Sequence, residues 1–345
     1  EEAGGLLAEA DACTVLRLSL KVLTNMASLG VKDSDGDDEE EWGSDDEQRM
    51  EDLAVGQNDC SQQPMIDVEA RLLIQSCLEE GCVFAELMAL LSRLCPPSSL
   101  NIVETHTRQD CRDLYDLRSL ACTCIMACIP SGESTTLTHF NALAQLGRLG
   151  FEESTQATQS ATAKPEDHVA YDWLTLLTEA LGRLAKADPN LNPMSADQSA
   201  LEFLVLVAST GVAVDDLRLN AVEALGTICT HANIPHAAAD LAAMETLLRP
   251  LLAALEDRSA LVQARALDSL MDVFAAEDRD QLFLKHECHR KVAAAVVGLK
   301  ARLRVQKERT PLGREAVAHL REVALNGVRF LKYKERNCVQ HDVVP

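Results

Sequence analysis

Leu217-Arg218-Leu219-Asn220-Ala221-Val222-Glu223-Ala224-Leu225-Gly226-Thr227 is the stretch on which the reading of the fold turns. Leu217, Ala221, Ala224 and Leu225 recur at the spacing of one helix face, and the chain has no convincing run of strict alternation bounded by hairpin turns to compete with it. Two other stretches share the local pattern: Leu16-Arg17-Leu18-Ser19-Leu20-Lys21-Val22-Leu23-Thr24-Asn25 and Ala264-Arg265-Ala266-Leu267-Asp268-Ser269-Leu270-Met271-Asp272. One amphipathic helix thus appears at three separate places.

Working outward, the same periodicity predicts helices over Leu6 to Leu29, Ile66 to Leu78, Cys82 to Leu94, Asp110 to Ile129 and Leu137 to Leu149. It continues over Asp167 to Ala187, Ala196 to Ser209, Asp215 to His231, Ala238 to Leu255, Ala260 to Ala276, Gln281 to Arg309 and Leu312 to Asn337. On Leu6 to Leu29 the apolar face is Val15, Leu16, Leu18, Val22, Leu23 and Met26. Pro96-Pro97, Pro130-Ser131-Gly132 and Asp188-Pro189-Asn190 close helices, and Pro311 sits where a helix start tolerates its missing N–H. Helices of this length, joined by short turns and lacking one dominant apolar centre, read as stacked two-helix repeats. The quoted stretches resemble the inner helices of armadillo or HEAT repeats. The expected fold is all-α, an α-solenoid of irregular HEAT/armadillo-like repeats, with a globular helical bundle as the alternative.

Composition agrees. Of 345 residues 47% are hydrophobic but only 3% aromatic, and Ala and Leu suit helix-on-helix packing better than sheets. No apolar run reaches the roughly 20 residues of a membrane span, and Glu1-Glu2-Ala3-Gly4 has no signal-peptide character, so no membrane contact is expected. The first residue is not Met, and the natural chain is expected to extend upstream. Twelve cysteines, among them Cys13, Cys77, Cys122 and Cys229 at apolar helix positions, fit a reduced intracellular protein. A net charge of −22 disfavours direct DNA or RNA binding and favours a basic protein partner.

The expected organisation is repeat helices over residues 1–30, an acidic loop over 31–64, repeats over 65–150, a Ser/Thr/Gln/Ala-rich connector over 151–165, further repeats over 166–338 and a tail over 339–345. The acidic loop concentrates Asp33, Asp35, Asp37, Asp38, Glu39, Glu40, Glu41, Asp45, Asp46, Glu47, Glu51 and Asp52, with Arg49 as its one basic residue and Trp42 at its centre. A run of this kind is either a solvated linker or a binding element. Trp42 favours the second, since an indole can anchor on a partner that the carboxylates attract.

Val22-Leu23-Thr24-Asn25 running into Asp37-Asp38-Glu39-Glu40-Glu41-Trp42-Gly43-Ser44-Asp45-Asp46-Glu47 resembles the symportin family of HEAT-repeat proteins. Cys111-Arg112-Asp113-Leu114-Tyr115-Asp116-Leu117-Arg118-Ser119-Leu120, Ala266 to Ala275 and Asn326 to Glu335 are similar to later helices of that family, in order, so the chain corresponds to its C-terminal part. The resemblance implies an import adaptor and chaperone for the two basic large-subunit ribosomal proteins that assemble with 5S ribosomal RNA. It also implies that the acidic loop takes one client and the solenoid groove a segment of the other, that an import receptor binds through an upstream region, and that the protein shuttles between cytoplasm and nucleus. Residues 96–109 and 151–165 match nothing in that family pattern.

For the groove, Asn25 stands where armadillo inner helices place an Asn that can hydrogen-bond a peptide backbone, and Thr227 and Asp272 fall at equivalent places. Capping of a local carbonyl is the competing role for Asn25. Cys122, Cys124 and Cys128, and the group His286, Cys288 and His289, lack the paired spacing of a zinc site, so packing is the expected role. The basic run Lys300, Arg302, Arg304, Lys307, Arg309 and Arg314 reads as a patch for nucleic acid or an acidic partner, as the solvated face of a capping helix, or as a resting place for the chain's own empty acidic loop. No catalytic motif and no cofactor-binding pattern occurs, which leaves a non-enzymatic, monomeric binding protein as the expectation. A general transport or scaffold solenoid for another basic client such as a histone is the alternative, and a metal enzyme built on the cysteines a third.

Overall fold

The computed structural model describes residues 14–26, 83–95, 108–129, 133–159, 169–187, 196–209, 211–232, 238–309 and 313–341. In chain order the helices are α1 (residues 14–26), α2 (Val83–Leu94), α3 (Arg108–Ala127), α4 (Glu133–Gln159), α5 (Val169–Ala187), α6 (Gln198–Val207), α7 (Asp215–His231), α8 (Ala238–Ala254) and α9 (Ala260–Val273). A 3-10 turn (Glu277–Arg279) then leads to α10 (Asp280–Lys285), α11 (Cys288–Arg309) and α12 (Arg314–His341). No strand occurs among the described residues.

Each even helix pairs with the odd helix that follows it, giving α2/α3, α4/α5, α6/α7 and α8/α9, and α11/α12 close the series. The pairs stack in two layers. One layer runs α3, α5, α7, α9, α12, and α1 joins it through Arg17, whose Nη2 donates to Asp113 Oδ1 at 2.6 Å. The other runs α2, α4, α6, α8. This is an all-α solenoid, and the three stretches read as equivalent helices lie in α1, α7 and α9, all in the first layer.

The layers meet along a continuous core. Leu217, Ala221, Ala224, Leu225 and Ile228 of α7 are fully buried, as are Val262, Ala264, Ala266 and Leu267 of α9. Two glycines allow unusually close approach. A Cβ on Gly150 of α4 would lie 2.0 Å from the Trp173 ring of α5, and one on Gly226 of α7 would lie 2.5 Å from the Ser269 side chain of α9.

Between repeats the seams are polar and buried. Arg218 has no exposed side-chain surface; its Nε and Nη2 donate to Asp257 at 3.1 and 2.9 Å, Nη2 also to Asp215 at 3.0 Å, and Nη1 to the Val212 carbonyl. Arg118 repeats the device one hundred residues earlier. Its Nε donates to Leu94 O at 2.8 Å and its Nη1 to Glu153 at 3.0 and 3.2 Å, while the guanidinium sits 5.0 Å from the Trp173 ring centroid. Each of these arginines follows a buried leucine; Arg218 ties the turn before its own helix to the next repeat, and Arg118 ties the C-terminal end of α2 to α4. In α9 the corresponding residue is Gln263, which donates to Leu255 O at 2.7 Å. Arg279 works differently, donating to the carbonyls of Cys229, Thr230, Ala232 and Val273 at 2.8 to 2.9 Å, so that one cation satisfies the C-terminal ends of both α7 and α9.

Four expectations are corrected. First, helix α4 runs through Gln159, nine residues into the expected connector, because Phe151 packs on the core, Ser154 is buried and Glu153 is held by Arg118. Second, the helix expected over Gln281 to Arg309 breaks at Glu287, whose φ of 51° is left-handed, and splits into α10 and α11. Third, α12 continues to His341, inside the expected tail. Fourth, α1 buries Leu20 and packs Leu16 and Leu23, whereas Val15, Leu18, Val22 and Met26 are exposed, because α3 covers one face only. The helix expected over Ile66 to Leu78 and Pro311 lie outside the described residues.

Breaking the Arg218–Asp257 pair by Arg218→Ala strands a buried carboxylate and is expected to cost about 3–5 kcal/mol. Urea unfolding checks this: Arg218→Met with Asp257→Leu should recover part of the loss, whereas a loss by Arg218→Ala of under about 1 kcal/mol would mean that the pair is screened like a surface one.

Candidate functional site

Helices α5, α7 and α9 lie side by side, and the face they share is polar. Along it runs a cleft lined by Glu179, Gly182, Arg183 and Lys186 of α5, by Leu219, Asn220, Glu223, Gly226, Thr227, Thr230 and His231 of α7, and by Arg265, Asp268, Ser269 and Asp272 of α9. Helical periodicity explains the set. Residues 220, 223, 227 and 230, like 265, 268 and 272, recur at three and four, so they form one stripe on each helix opposite the buried stripe.

At the middle of the cleft the chain neutralises its own charges. Glu223 accepts from Lys186 Nζ at 2.5 Å and lies 3.5 Å from Arg265 Nε, a three-residue link across all three helices. Beside it Arg183 donates to Glu179 at 2.8 Å, and Asn220 Nδ2 donates to the Thr175 carbonyl at 3.0 Å.

Toward Asp272 the balance changes. Asp268 and Asp272 stand one turn apart on α9, and neither forms an ion pair within 4 Å among the described residues, although both face the cleft. Burial pushes the Asp272 carboxyl above its ordinary range, and the neighbouring Asp268 charge pushes the same way, with Arg265 and Lys186 opposing. The arrangement is an anionic end of a polar cleft, suited to a cationic side chain brought from outside.

Of the predicted groove residues, Thr227 and Asp272 line this cleft together. The Thr227 hydroxyl donates to Glu223 O at 3.1 Å, within its own helix. Asn25 is exposed near the end of α1, with α3 and α5 between it and α7, so it is not brought to the same place. Asp35, Asp37, Asp38, Glu39, Glu40, Glu41, Trp42, Asp45, Asp46 and Glu47 lie outside the described residues. Sequence reasoning missed Lys186, Glu223, Arg265 and Asp268. Glu223 and Asp268 fall one turn before Thr227 and Asp272, a register that the aligned stretches contained.

Among the described residues the cysteines are engaged in packing. Cys122 and Cys124 are fully buried, and Cys124 Sγ donates to Leu20 O at 3.1 Å, joining α3 to α1. Burial holds the thiols protonated, pushing Cys128 up to about 11 and Cys229 and Cys288 to about 12. His289 meets Glu335 at 3.0 Å and His286 approaches Glu245 at 3.8 Å. Among the described residues no group of three or more His, Cys, Asp or Glu converges as metal ligands would, and no helix is long and apolar enough to cross a membrane.

A family model described as SYO1-like TPR repeats matches residues 73–338, most of the chain and every helix from α2 to α11. No curated protein matches the chain significantly.

Since no cation among the described residues forms an ion pair within 4 Å of them, Asp268→Asn and Asp272→Asn together should leave the melting temperature unchanged or raised while weakening the binding of an oligolysine peptide. Because burial and the Asp268 charge raise the Asp272 pKa from its ordinary value, acidification should begin to remove that binding at a higher pH than an exposed Asp would give. Calorimetry across a pH series checks both, and a drop in melting temperature would mean that the carboxylates serve the fold instead.

Proposed function

This chain belongs to the family of SYO1-like TPR-repeat proteins, and on that premise we propose that it is a non-enzymatic adaptor and chaperone for basic ribosomal proteins of the 5S particle, holding them for nuclear import and large-subunit assembly. One observation carries the reading. The cleft over α5, α7 and α9 closes its own central charges, while among the described residues no cation forms an ion pair within 4 Å of Asp268 or Asp272, so a basic segment entering it finds two carboxylates open to it. The acidic segment from Asp33 to Asp52 adds a second anionic element with Trp42 as its apolar anchor. Ribosomal proteins are strongly basic, and an anionic holder screens them from nonspecific partners until ribosomal RNA takes over.

On this reading the protein acts as a monomer with no cofactor, shuttles between cytoplasm and nucleus, and reaches its import receptor through a region outside α1 to α12. The division of labour is physical. Helices fixed by buried arginines present a rigid surface, whose geometry can select one client segment, while the acidic segment supplies long-range attraction.

Removing Asp33 to Asp52 and measuring affinity for purified 5S-particle ribosomal proteins at two salt concentrations tests the proposal. Binding should weaken and its salt dependence flatten, since the attraction is screened as the Debye length shrinks from about 8 Å near physiological ionic strength to about 3 Å at 1 M. Unchanged affinity and salt slope would contradict it, and equal affinity for histones would favour a general scaffold for basic clients.

A further inference from the structure

Charge is divided unevenly along the chain. Residues 288–341, which form α11 and α12, contain thirteen Lys and Arg against four Asp and Glu, although the whole chain carries −22. Some of these cations are engaged: Lys334 is buried against Asp280 at 2.5 Å among Phe283, Phe330 and Tyr333, and Arg302 donates to Arg258 O at 3.2 Å. Others are not. Arg314, Arg321, Arg329, Lys332 and Arg336 of α12 are all exposed, and among the described residues none forms an ion pair.

At 100° per residue these five fall within about 80° of the helix circumference, with the half-exposed Leu325 in their midst. The buried positions Leu320, Val323, Ala324 and Lys334 occupy the opposite face. The result is one straight basic stripe, about 33 Å long at 1.5 Å per residue, on the last helix of its layer. Among the described residues only Tyr333 offers an exposed ring beside it, and single-stranded nucleic acid binds best where several aromatic side chains stack on bases. A linear stripe of cations without a stacking platform suits an extended acidic peptide, of which about ten residues span the same length.

We propose that this α12 stripe is the docking surface for the chain's own acidic segment, residues 33–52, when no client is bound. Charge complementarity carries the assignment: the segment concentrates twelve carboxylates and one arginine in twenty residues, and its later part, with seven carboxylates from Glu40 to Asp52, is the part that meets the five cations. The reach is sufficient. From α1 through α3, α5, α7 and α9 to α12 are five neighbour steps of about 8–10 Å, or about 40–50 Å in all. The nineteen residues from Met26 to Asp45 extend to about 63–68 Å. Docking there keeps the acidic segment beside the layer that bears the cleft and makes a basic client compete for it. The inference deepens the proposed function and rests on its premise that the acidic segment binds clients.

The test uses the full chain with Arg321→Gln, Arg329→Gln, Lys332→Gln and Arg336→Gln, and an oligolysine peptide as the probe. Freed from competition, the acidic segment should bind the probe about fivefold more tightly near physiological salt, and the gain should vanish at 1 M. Zero-length carbodiimide cross-linking of the unsubstituted chain, read by mass spectrometry, should join Lys332 to carboxylates of residues 33–52 within a monomer, and oligolysine should abolish that product. Unchanged probe affinity, or cross-links formed only between molecules, overturns the proposal. Loss of a binding RNA oligonucleotide on neutralising the stripe, with probe affinity unchanged, would overturn it in favour of a nucleic-acid surface. The outcomes stay separable from those of the proposed function. If deleting residues 33–52 leaves probe binding intact, the client-binding premise fails, whereas loss of binding on deletion with no gain from the neutralised stripe fails the docking inference alone.

Discussion

A guanidinium removed from water and held by a carboxylate of the next repeat sets how the repeats of this chain stack. Arg218 lies at the start of α7 and Asp257 in the turn before α9, both without exposed side-chain surface. Such a pair gains little net energy over apolar packing, but once formed it tolerates few alternative geometries, because a slipped register would leave either charge buried alone. Apolar contacts such as Leu217 on its neighbours are indifferent to small slides along the helix. The arginine bonds are not. Arg118 with Glu153 and Leu94 fixes the earlier seam in the same way, and Arg279 pins the far ends of α7 and α9 through four carbonyls. With both ends held, the face shared by α5, α7 and α9 has one arrangement.

That arrangement decides the electrostatics of the cleft. Glu223 can reach both Lys186 and Arg265 only because α5 and α9 stand on either side of α7, and Gly226 lets α9 come close enough for Ser269 to touch it. The same closeness sets Asp268 and Asp272 beside the link, and among the described residues neither forms an ion pair within 4 Å. Exposed ion pairs contribute little stability, about 0–1 kcal/mol each. The charge pattern of the cleft is therefore free to serve recognition rather than folding. Across the whole chain the sign is similarly sorted, with acid in the N-terminal third and a basic stripe on α12.

Much of the helical layout was legible because it is written in local periodicity. Asp215 to His231 was readable to the residue, since acidic residues open the helix, His231 closes it and the apolar stripe is regular. The extension of α4 was not, because Ser, Thr and Gln give no local signal and the helix is held by distant contacts: Arg118 to Glu153, and Phe151 on the core. The break at Glu287 was hidden for the opposite reason, as neither Gly nor Pro marks a left-handed residue there. In the cleft, Thr227 and Asp272 were found through the alignment of repeated stretches, whereas Lys186, Glu223 and Arg265 look in sequence like members of any solvated helix face. Arg118 and Arg218 were unreadable as buried residues, since only the juxtaposition of separate repeats removes them from water.

On the proposed function, clients bind the layer α5–α7–α9 and not its partner layer. Hydrogen exchange of the full chain with and without a bound basic ribosomal protein tests this most directly. Protection gained on α5, α7 and α9, with α4, α6 and α8 unchanged, is the predicted result. Protection concentrated on α4, α6 and α8, or absent from all six helices while the client remains bound, would contradict it.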